Sequence, residues 1–278
     1  MTEKLLQIDN LFIELPAGSE RQHAVQDLSL ELAPGETLCV VGESGSGKSL
    51  TARAVMGLLP APHVRVSDGQ INFNGEDVTK ATYDRLRDIR GSEISMIFQE
   101  PMTALNPVMS IGGQIDEIFR YHVSMSRSER LERAIELLRD VNLPNPEQIM
   151  NAYPHELSGG QRQRSMIAMA LALKPQILIA DEPTTALDVT TQAQILKLIR
   201  DMQTASNTGV LFITHDFGVV ADIADRVVVM QHGKVVDQGP KDDMFTPPHH
   251  AYTDLLLSSV PEMDPDWLSR LLEARISN

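Results

Sequence analysis

A glycine-rich loop between an apolar run and a helix constrains this chain more than any other feature. The segment GESGSGKS, at 42–49, follows the apolar run TLCVV and precedes KSLTARAVMGLL, whose apolar residues recur at helical spacing. It fits the pattern G-x-x-x-x-G-K-[ST], in which successive N–H groups and a helix N-terminus attract an anion. The pattern predicts a phosphate-binding loop (P-loop) in which Lys48 reaches the β- and γ-phosphates of a nucleotide and the Ser49 hydroxyl binds Mg²⁺. The other nucleotide contacts predicted here are Gly42, Glu43, Ser44, Gly45, Ser46, Gly47 and Leu50.

Strands and helices alternate along the chain, which predicts an α/β fold on a mainly parallel sheet with right-handed crossovers. Apolar runs predict strands at 5–15, 24–32, 36–41, 93–99, 176–181, 209–214 and 225–230, and a short edge strand at 69–75. Apolar residues at helical spacing predict helices at 48–59, 158–173 and 189–203, and a short helix from Asp216. Two amphipathic helices, 110–122 and 126–141, interrupt the alternation as a helical insert, and a mixed helical tail begins near Pro240.

The charge balance disfavours nucleic-acid binding, and the single cysteine excludes several kinds of site. Lys and Arg number 24 against 38 Asp and Glu, a net charge of −14, whereas nucleic-acid binding needs clustered cations. Cys39 is the only cysteine, which excludes an intrachain disulfide and cysteine-rich metal sites, and its apolar neighbours predict an inert core residue. The chain lacks a secretory signal and any apolar run near the roughly 18 residues that span a bilayer, so we expect a cytoplasmic protein.

Polar side chains follow three of the predicted strands, at the edge where a parallel sheet binds ligands. In ILIADEP an apolar strand ends in two acids. Asp181 is placed to bind Mg²⁺, and Glu182 to act as the general base on an attacking water. Gln99 ends another strand and can bond both Mg²⁺ and that water, while His215 follows LFIT. At a turn of an unrelated protein such acids are simply solvated. Beside a P-loop they predict a nucleotide-hydrolysing site.

Several other residues of types that can bind metals or ligands are not expected to do so here. His249 and His250 are adjacent, so they lack the i,i+4 spacing of helical metal ligands. Met166 and Met169 flank an apolar helix face and are expected in the core. Trp267, in the tail, is expected to anchor local packing.

A second glycine-rich segment, HELSGGQRQR at 155–164, completes a set of motifs that resembles the ATPases of ABC transporters. The resemblance implies a nucleotide-binding core, an antiparallel β layer from the N-terminal strands, and a helical subdomain that carries LSGGQ. It also implies an ABC ATPase domain at 1–260, with its core at 1–100 and 165–240 and its helical subdomain at about 101–164, and a C-terminal extension at 241–278. The motif residues it implies are Lys48 and Ser49 (Walker A), Gln99 (Q-loop), Asp181 and Glu182 (Walker B), Asp188 (D-loop) and the switch residue His215.

A closer similarity is to the oligopeptide/dipeptide/nickel importer subfamily. It rests on FQEPMTALNPVMSIGGQI, YPHELSGGQRQRSMIAMALALKP, DEPTTALDVTTQAQIL and the tail PPHHAYTDLLLSSVP, which has Ala251 where proline is usual. Many relatives carry tail cysteines thought to hold an iron–sulfur cluster; this chain has none there, so that cofactor is not expected. Where relatives have an aromatic residue that stacks on adenine, NLFIEL places Leu15, and either His23 or Phe12 could substitute.

The resemblance also implies partners. Two ATPase subunits, identical or paralogous, meet head to tail, with ATP and Mg²⁺ bound between the P-loop of one and the LSGGQ loop of the other. This pair lies at the cytoplasmic face of the inner membrane and binds two permease subunits. An extracytoplasmic solute-binding protein is an indirect partner. The solute stays open among peptides, nickel and oligosaccharides. Alternatives are a soluble ABC ATPase acting on DNA or ribosomes, a non-catalytic cassette, and an exporter ATPase. The LSGGQ-side nucleotide contacts implied are Ser158, Gly159, Gly160, Gln161 and Asp188.

Overall fold

Ten strands in the described part of the chain form two sheets, and their order decides where the site lies. The computed structural model describes residues 4–185, 187–247 and 249–258, so the predicted role of Trp267 lies outside the described residues. The strands are β1 (Leu6–Glu14), β2 (His23–Leu32), β3 (Thr37–Val41), β4 (Arg65–Phe73), β5 (Glu76–Asp77), β6 (Ile94–Ile97), β7 (Ile177–Asp181), β8 (Gly209–Thr214), β9 (Arg226–Gln231) and β10 (Lys234–Pro240).

Helices cover both faces of the larger sheet and form the insert. They are α1 (Lys48–Val55), α2 (Tyr83–Ile89), α3 (Pro101–Ala104), α4 (Ile111–His122), α5 (Arg127–Asp140), α6 (Pro146–Ile149), α7 (Gly159–Leu171), α8 (Val189–Ser206), α9 (Phe217–Ile223) and α10 (Ala251–Ser258). Among the described residues, no helix is both long enough and apolar enough to cross a bilayer.

An antiparallel sheet, in the order β2-β1-β4-β5, forms the N-terminal layer that the family resemblance implied. Along β1, buried residues alternate with more exposed ones, which is the period-two pattern of a sheet with one covered face. The prediction of an edge strand at 69–75 is wrong, because β4 begins at Arg65 and lies between β1 and β5. Its first half is polar and largely exposed, so the apolar pattern revealed only its second half.

The six-stranded sheet has the order β10-β9-β3-β8-β7-β6 and is parallel except for β10, which runs antiparallel to β9. This order confirms the predicted α/β fold with its mainly parallel sheet. Since parallel strands end at a common edge, the residues that follow them come together there. The P-loop follows β3, while His215, Glu182 and Gln99 follow β8, β7 and β6.

The core lies on both faces of β3. Cys39 and Val41 belong to the apolar cluster shared with the insert and α7, whereas Leu38 and Val40 belong to the cluster shared with α1 and the antiparallel sheet. Cys39 is fully buried, and burial raises the pKa of its thiol, so the side chain is the inert core residue predicted. The predicted core methionines also pack into the first cluster: Met166 is buried and Met169 lies against it.

The helices of the insert start at defined caps. Ser110 caps α4 by accepting a hydrogen bond from the Gly113 N–H, and Ser126 caps α5 in a reciprocal capping box with Glu129. Both helices contact α7, the helix that begins at Gly159. The insert therefore carries the start of α7, and with it the LSGGQ segment.

Candidate nucleotide-binding site

The P-loop, residues 42–49, has a backbone that requires glycine at two positions. Gly42 and Gly47 have positive φ angles, 152° and 106°. A Cβ on Gly42 would lie 2.1 Å from the Met230 carbonyl oxygen, and one on Gly47 would lie 2.7 Å from the Ala24 carbonyl oxygen. Gly47 also occupies the N-cap of α1 without a side-chain cap, so the N–H groups of the first helical turn stay available to a ligand.

The Lys48 side chain folds back into the P-loop and is only 4% exposed. Its Nζ donates to the carbonyl oxygens of Gly42 and Glu43, at 2.5 and 2.8 Å. Burial lowers the pKa of Lys48, while the nearby carboxylates, led by Glu182 and then Asp181, oppose that shift. The ammonium thus already sits among oxygen acceptors, the kind of ligand that a phosphate offers.

Ser49 and Asp181, predicted as metal ligands, meet across the end of β7. The Ser49 Oγ donates to Asp181 Oδ1 at 2.8 Å. Burial raises the pKa of Asp181, and the Ser49 hydrogen bond only partly offsets it. A cleft of about 490 Å³, lined in part by Gln99, Arg53 and Asp181, opens beside them. Hydroxyl, carboxylate and amide oxygens are the hard ligands that Mg²⁺ prefers, so this donor set fits the predicted metal.

Glu182 follows β7 with a φ of 47°, in the left-handed region that residues other than glycine usually avoid. Its Oε2 accepts hydrogen bonds from Gln99 Nε2 and Thr185 Oγ1, both at 3.0 Å. The His215 Nδ1 lies 3.4 Å from the other oxygen, Oε1. The structure therefore brings the three predicted catalytic residues together, and it holds the carboxylate by an uncommon backbone conformation and three neighbours.

The LSGGQ loop, residues 157–161, starts α7 with a capping box. Ser158 Oγ accepts from the Gln161 N–H at 3.3 Å, and Gln161 Oε1 accepts from the Ser158 N–H at 2.9 Å. Gly159 and Gly160, the first two helical residues, have N–H groups that no carbonyl of the helix can reach. In the described part of the chain no hydrogen bond joins this loop to the P-loop. The structure does not bring residues 158–161 into the P-loop site of the same subunit.

Asp188 is engaged by its own helix. It caps α8, with Oδ1 accepting from the Thr191 N–H at 2.9 Å and Oδ2 from the Thr191 Oγ1 at 2.8 Å. These two hydrogen bonds lower the pKa of Asp188. The residue is exposed, so in a single subunit it faces solvent, as Ser158 and Gly159 do.

The side chains weighed for adenine stacking make different contacts. Leu15 packs against the core cluster of the antiparallel layer. The rings of Phe12 and His23 meet edge to face, with centroids 5.7 Å apart. Arg21, to which no sequence motif points, reaches the P-loop instead: its Nη2 donates to the Gly45 carbonyl oxygen at 2.7 Å. The Arg21 Nη1 is buried and has no hydrogen-bond partner in the described residues.

Two more contacts at the site were not predicted. Thr185, which bonds Glu182, lies three residues after it, and that short spacing was a readable signal in DEPTTALD. The Tyr252 hydroxyl accepts a hydrogen bond from the Glu43 N–H at 3.0 Å. These two residues are 209 positions apart, so no local pattern could have revealed their contact.

Comparison with protein families gives two matches along the chain. Residues 25–185 match the family described as ABC transporter. Residues 236–277 match the family described as oligopeptide/dipeptide transporter, C-terminal region. The first match contains the P-loop, the Ser49–Asp181 pair and the LSGGQ loop, and the second contains Tyr252.

Individual relatives are similar over most of this chain. It is 50% identical over 260 residues to the oligopeptide transport ATP-binding protein AppD of Bacillus subtilis, covering 94% of this chain and 79% of that protein. It is also 50% identical over 264 residues to the peptidoglycan transport ATP-binding protein YejF of Agrobacterium fabrum, covering 95% of this chain but 48% of that longer protein. A solved dimeric structure of MJ0796, a bacterial ABC transporter cassette, superposes with a TM-score of 0.76 at 30% identity, covering 85% of this chain and 98% of that one.

Proposed function

The chain belongs to the ABC transporter family, in its oligopeptide/dipeptide branch, and we propose that two such subunits pair head to tail, hydrolyse ATP between them and drive solute uptake through membrane permeases. One observation supports this most. A phosphate loop, a buried carboxylate beside a hydroxyl, and a second carboxylate held by glutamine and histidine converge at one edge of the sheet. Phosphoryl transfer to water needs these parts.

The P-loop binds the triphosphate of ATP in this proposal. The N–H groups at the start of α1, with the partial positive charge of the helix N-terminus, contact phosphate oxygens. The Lys48 ammonium exchanges the carbonyl oxygens of Gly42 and Glu43 for oxygens of the β- and γ-phosphates. Because the new acceptors are charged, they form stronger hydrogen bonds than the carbonyls they replace.

Ser49, Asp181 and Gln99 would hold Mg²⁺, which when bound neutralises charge on the phosphate oxygens. The hydrogen bond between Ser49 and Asp181 supports this assignment, since it already joins two of the three ligands. So does the burial of Asp181, which is 3% exposed and has a raised pKa. A buried carboxylate in that condition gains from a nearby cation.

Glu182 is the general base. It accepts a proton from the attacking water as the water oxygen bonds to the γ-phosphorus, and the bond from that phosphorus to the β–γ bridging oxygen breaks to release ADP. Gln99 and Thr185 keep the carboxylate aimed, because both donate to its Oε2. The His215 side chain is 56% exposed, so its ring has room to reach the γ-phosphate as the reaction proceeds.

The second half of each ATP site comes from the other subunit. The N–H groups of Gly159 and Gly160, at the positive end of α7, face the γ-phosphate held by the partner's P-loop, with Ser158, Gln161 and Asp188 at the same interface. Exposure of Ser158, Gly159 and Asp188 in the single chain supports this arrangement. Hydrolysis removes the phosphate that bridges the subunits, so the pair reopens.

The reopening movement reaches two permease subunits through the helical insert and the segment around Gln99, and the permeases switch between inward- and outward-facing forms. A peptide or a related small solute is delivered by an extracytoplasmic binding protein. The subunit lies at the cytoplasmic face of the inner membrane, with an ATPase domain at 1–260 and an extension at 241–278. Support comes from the oligopeptide transport relative and from the match at 236–277.

A Glu182→Gln variant tests this function. Because the amide cannot take the proton, turnover is expected to fall by about 10²–10⁴-fold while ATP stays bound and traps the closed pair. Steady-state ATPase assays and size-exclusion chromatography with ATP measure the two effects. Unchanged ATPase activity would contradict the assignment of Glu182 as the general base. Affinity purification of the wild type from detergent-solubilised membranes tests the transport role: recovery of permeases supports it, and recovery of nucleic acid alone contradicts it.

A further inference from the structure

The C-terminal segment of the described chain touches the P-loop directly. Tyr252, in α10, is 5% exposed, and its hydroxyl accepts a hydrogen bond from the Glu43 N–H at 3.0 Å. Burial raises the pKa of Tyr252, so the hydroxyl stays neutral and places no negative charge beside the phosphate loop. The contact joins the C-terminal region to the start of the nucleotide site.

The segment that carries Tyr252 is itself fastened to the larger sheet. Asp237, in β10, accepts two hydrogen bonds on its Oδ2: one from the His250 N–H at 3.1 Å and one from the Thr253 Oγ1 at 3.0 Å. Thr253 is fully buried, and the His249 ring contacts Asp254 at 2.8 Å. Tyr252 therefore projects from an anchored helix, which fixes the position of its hydroxyl.

The group that Tyr252 contacts is one end of a single peptide unit. The Gly42 carbonyl and the Glu43 N–H belong to the same peptide bond. Its oxygen accepts from Lys48 Nζ at 2.5 Å, while its N–H donates to Tyr252. When Lys48 turns to the phosphates of ATP, the Gly42 carbonyl loses that partner, whereas the Glu43 N–H keeps its hydrogen bond to the Tyr252 hydroxyl and still holds this peptide.

We infer that Tyr252 is a positioning residue of the ATP site, by which the C-terminal extension holds the first peptide of the P-loop in its ATP-binding orientation. The inference rests on the proposed function, because it assigns Lys48 to the phosphates. Without the tyrosine hydroxyl, the Gly42–Glu43 peptide can rotate once Lys48 leaves, and ATP binding must then include the cost of ordering it. The residue acts through the loop and does not touch the nucleotide.

Two neighbouring variants separate this role from general support of the extension. Tyr252→Phe removes the hydroxyl that contacts the P-loop, and Thr253→Val removes a hydroxyl with an equally long hydrogen bond, 3.0 Å, to β10. Since one hydrogen bond is lost, we expect the ATP Kd and KM of Tyr252→Phe to rise about 3- to 10-fold, with kcat at saturating ATP changed by less than about twofold. We expect the ATP Kd of Thr253→Val to stay within about twofold of the wild type, because the His250 N–H still donates to Asp237 and keeps the helix anchored.

Hydrogen exchange gives a readout that a merely structural role would not produce. In Tyr252→Phe, the Glu43 amide of the full-length, ATP-free protein should exchange faster, while Thr253→Val should leave that amide unchanged. An ATP Kd unaltered in Tyr252→Phe, or raised equally in both variants, would overturn the inference. Failure of the proposed function looks different: a wild type that does not bind ATP, or a Lys48→Ala variant that binds ATP as tightly as the wild type does.

Discussion

The P-loop and the LSGGQ loop are both glycine-rich starts of helices, yet they are built in opposite ways. In the P-loop the N-cap of α1 is Gly47, which has no side-chain cap, and Lys48 is buried within the loop. In the LSGGQ loop, Ser158 and Gln161 cap each other, and Ser158 is exposed. The first loop contains a lysine and buries it, whereas the second contains no lysine and its cap residue is exposed.

The glycines differ for the same reason. A Cβ at Gly42 would collide with backbone of its own subunit, whereas a Cβ at Gly159 would meet no atom within 4 Å. The fold of the single chain thus explains Gly42 and leaves Gly159 unexplained. A glycine that its own subunit does not need is consistent with a second surface approaching closely, as a site shared between two subunits requires.

Replacing Ser158 by Arg should have the largest effect on turnover and the smallest on binding at the same subunit's P-loop. The bulky side chain fills the surface that faces the partner's γ-phosphate, so hydrolysis should fall by at least about 10²-fold, the loss seen when one transition-state donor is removed. ATP binding at Lys48 should be retained, as measured by equilibrium titration. Ser158→Ala, which removes the hydroxyl and its helix cap at a cost of about 1 kcal/mol but adds no bulk, is the control for size and should lose less turnover than Ser158→Arg. Loss of ATP binding by the isolated Ser158→Arg subunit would contradict the shared site.

Mixing Ser158→Arg with Lys48→Ala sharpens the same contrast if the chain pairs with itself. Each mixed pair contains one intact composite site: the P-loop of the first variant and the LSGGQ loop of the second. Random pairing makes half of the dimers mixed, so roughly a quarter of the wild-type ATPase rate is expected from two inactive proteins. Activity no higher than that of either variant alone would argue that the chain pairs only with a paralogue or that its two sites cannot work singly.

The sequence predicted those parts of the site whose chemistry lies within a short motif. The P-loop and the acids Asp181 and Glu182 stand next to apolar strands, and parallel strands bring their ends together, so the meeting of Ser49 with Asp181 follows from the pattern. Gln99 and His215 could be placed at that edge for the same reason. The pattern could not give the left-handed backbone of Glu182, because glutamate has no preference for that conformation.

Contacts between distant segments were beyond the sequence. Arg21 lies in a polar loop, and its hydrogen bond to Gly45 depends on how the antiparallel layer docks on the P-loop. Tyr252 stands in a segment that resembles a known tail element, yet nothing local predicts its bond to Glu43. The polar first half of β4 was missed because strand prediction relies on apolar alternation. Such features are set by tertiary packing, which overrides local preference.

Replacing three glycines by alanine, one at a time, tests which of them the fold of the single subunit requires. Gly42→Ala forces a Cβ to 2.1 Å from a carbonyl oxygen, so the free energy of unfolding should fall by more than about 3 kcal/mol. Gly45→Ala has open space but a φ of 79°, and should lose about 1 kcal/mol through strain alone. Gly159→Ala should change stability by less than about 0.5 kcal/mol while lowering ATPase turnover. Urea denaturation measures all three, and a strongly destabilised Gly159→Ala would mean that the glycine serves its own subunit.

The smallest expected effects come from two aspartates, one beside each loop, whose pKa values shift in opposite directions. The pKa of Asp181 is raised, so its ionised form opposes folding at neutral pH, and this cost disappears as the pH falls through its folded-state pKa to below the unfolded one. Asp181→Asn should therefore raise the melting temperature of the nucleotide-free protein at pH 7, and raise it by less in acid.

Asp188 has a lowered pKa, so its ionised form favours folding, and that contribution is lost only as the pH falls through its folded-state pKa. Asn caps helices nearly as well as Asp, so Asp188→Asn should lower the melting temperature only slightly at pH 7. Thermal melts of both variants and the wild type between pH 7 and about pH 3, which is below the ordinary pKa of an aspartate, provide the measurement. If the two variants change the melting temperature in opposite directions at pH 7, and both changes shrink toward acid, then a buried charge destabilises the P-loop side and an exposed charge stabilises the LSGGQ side. Equal signs would show that the two sides are electrostatically alike.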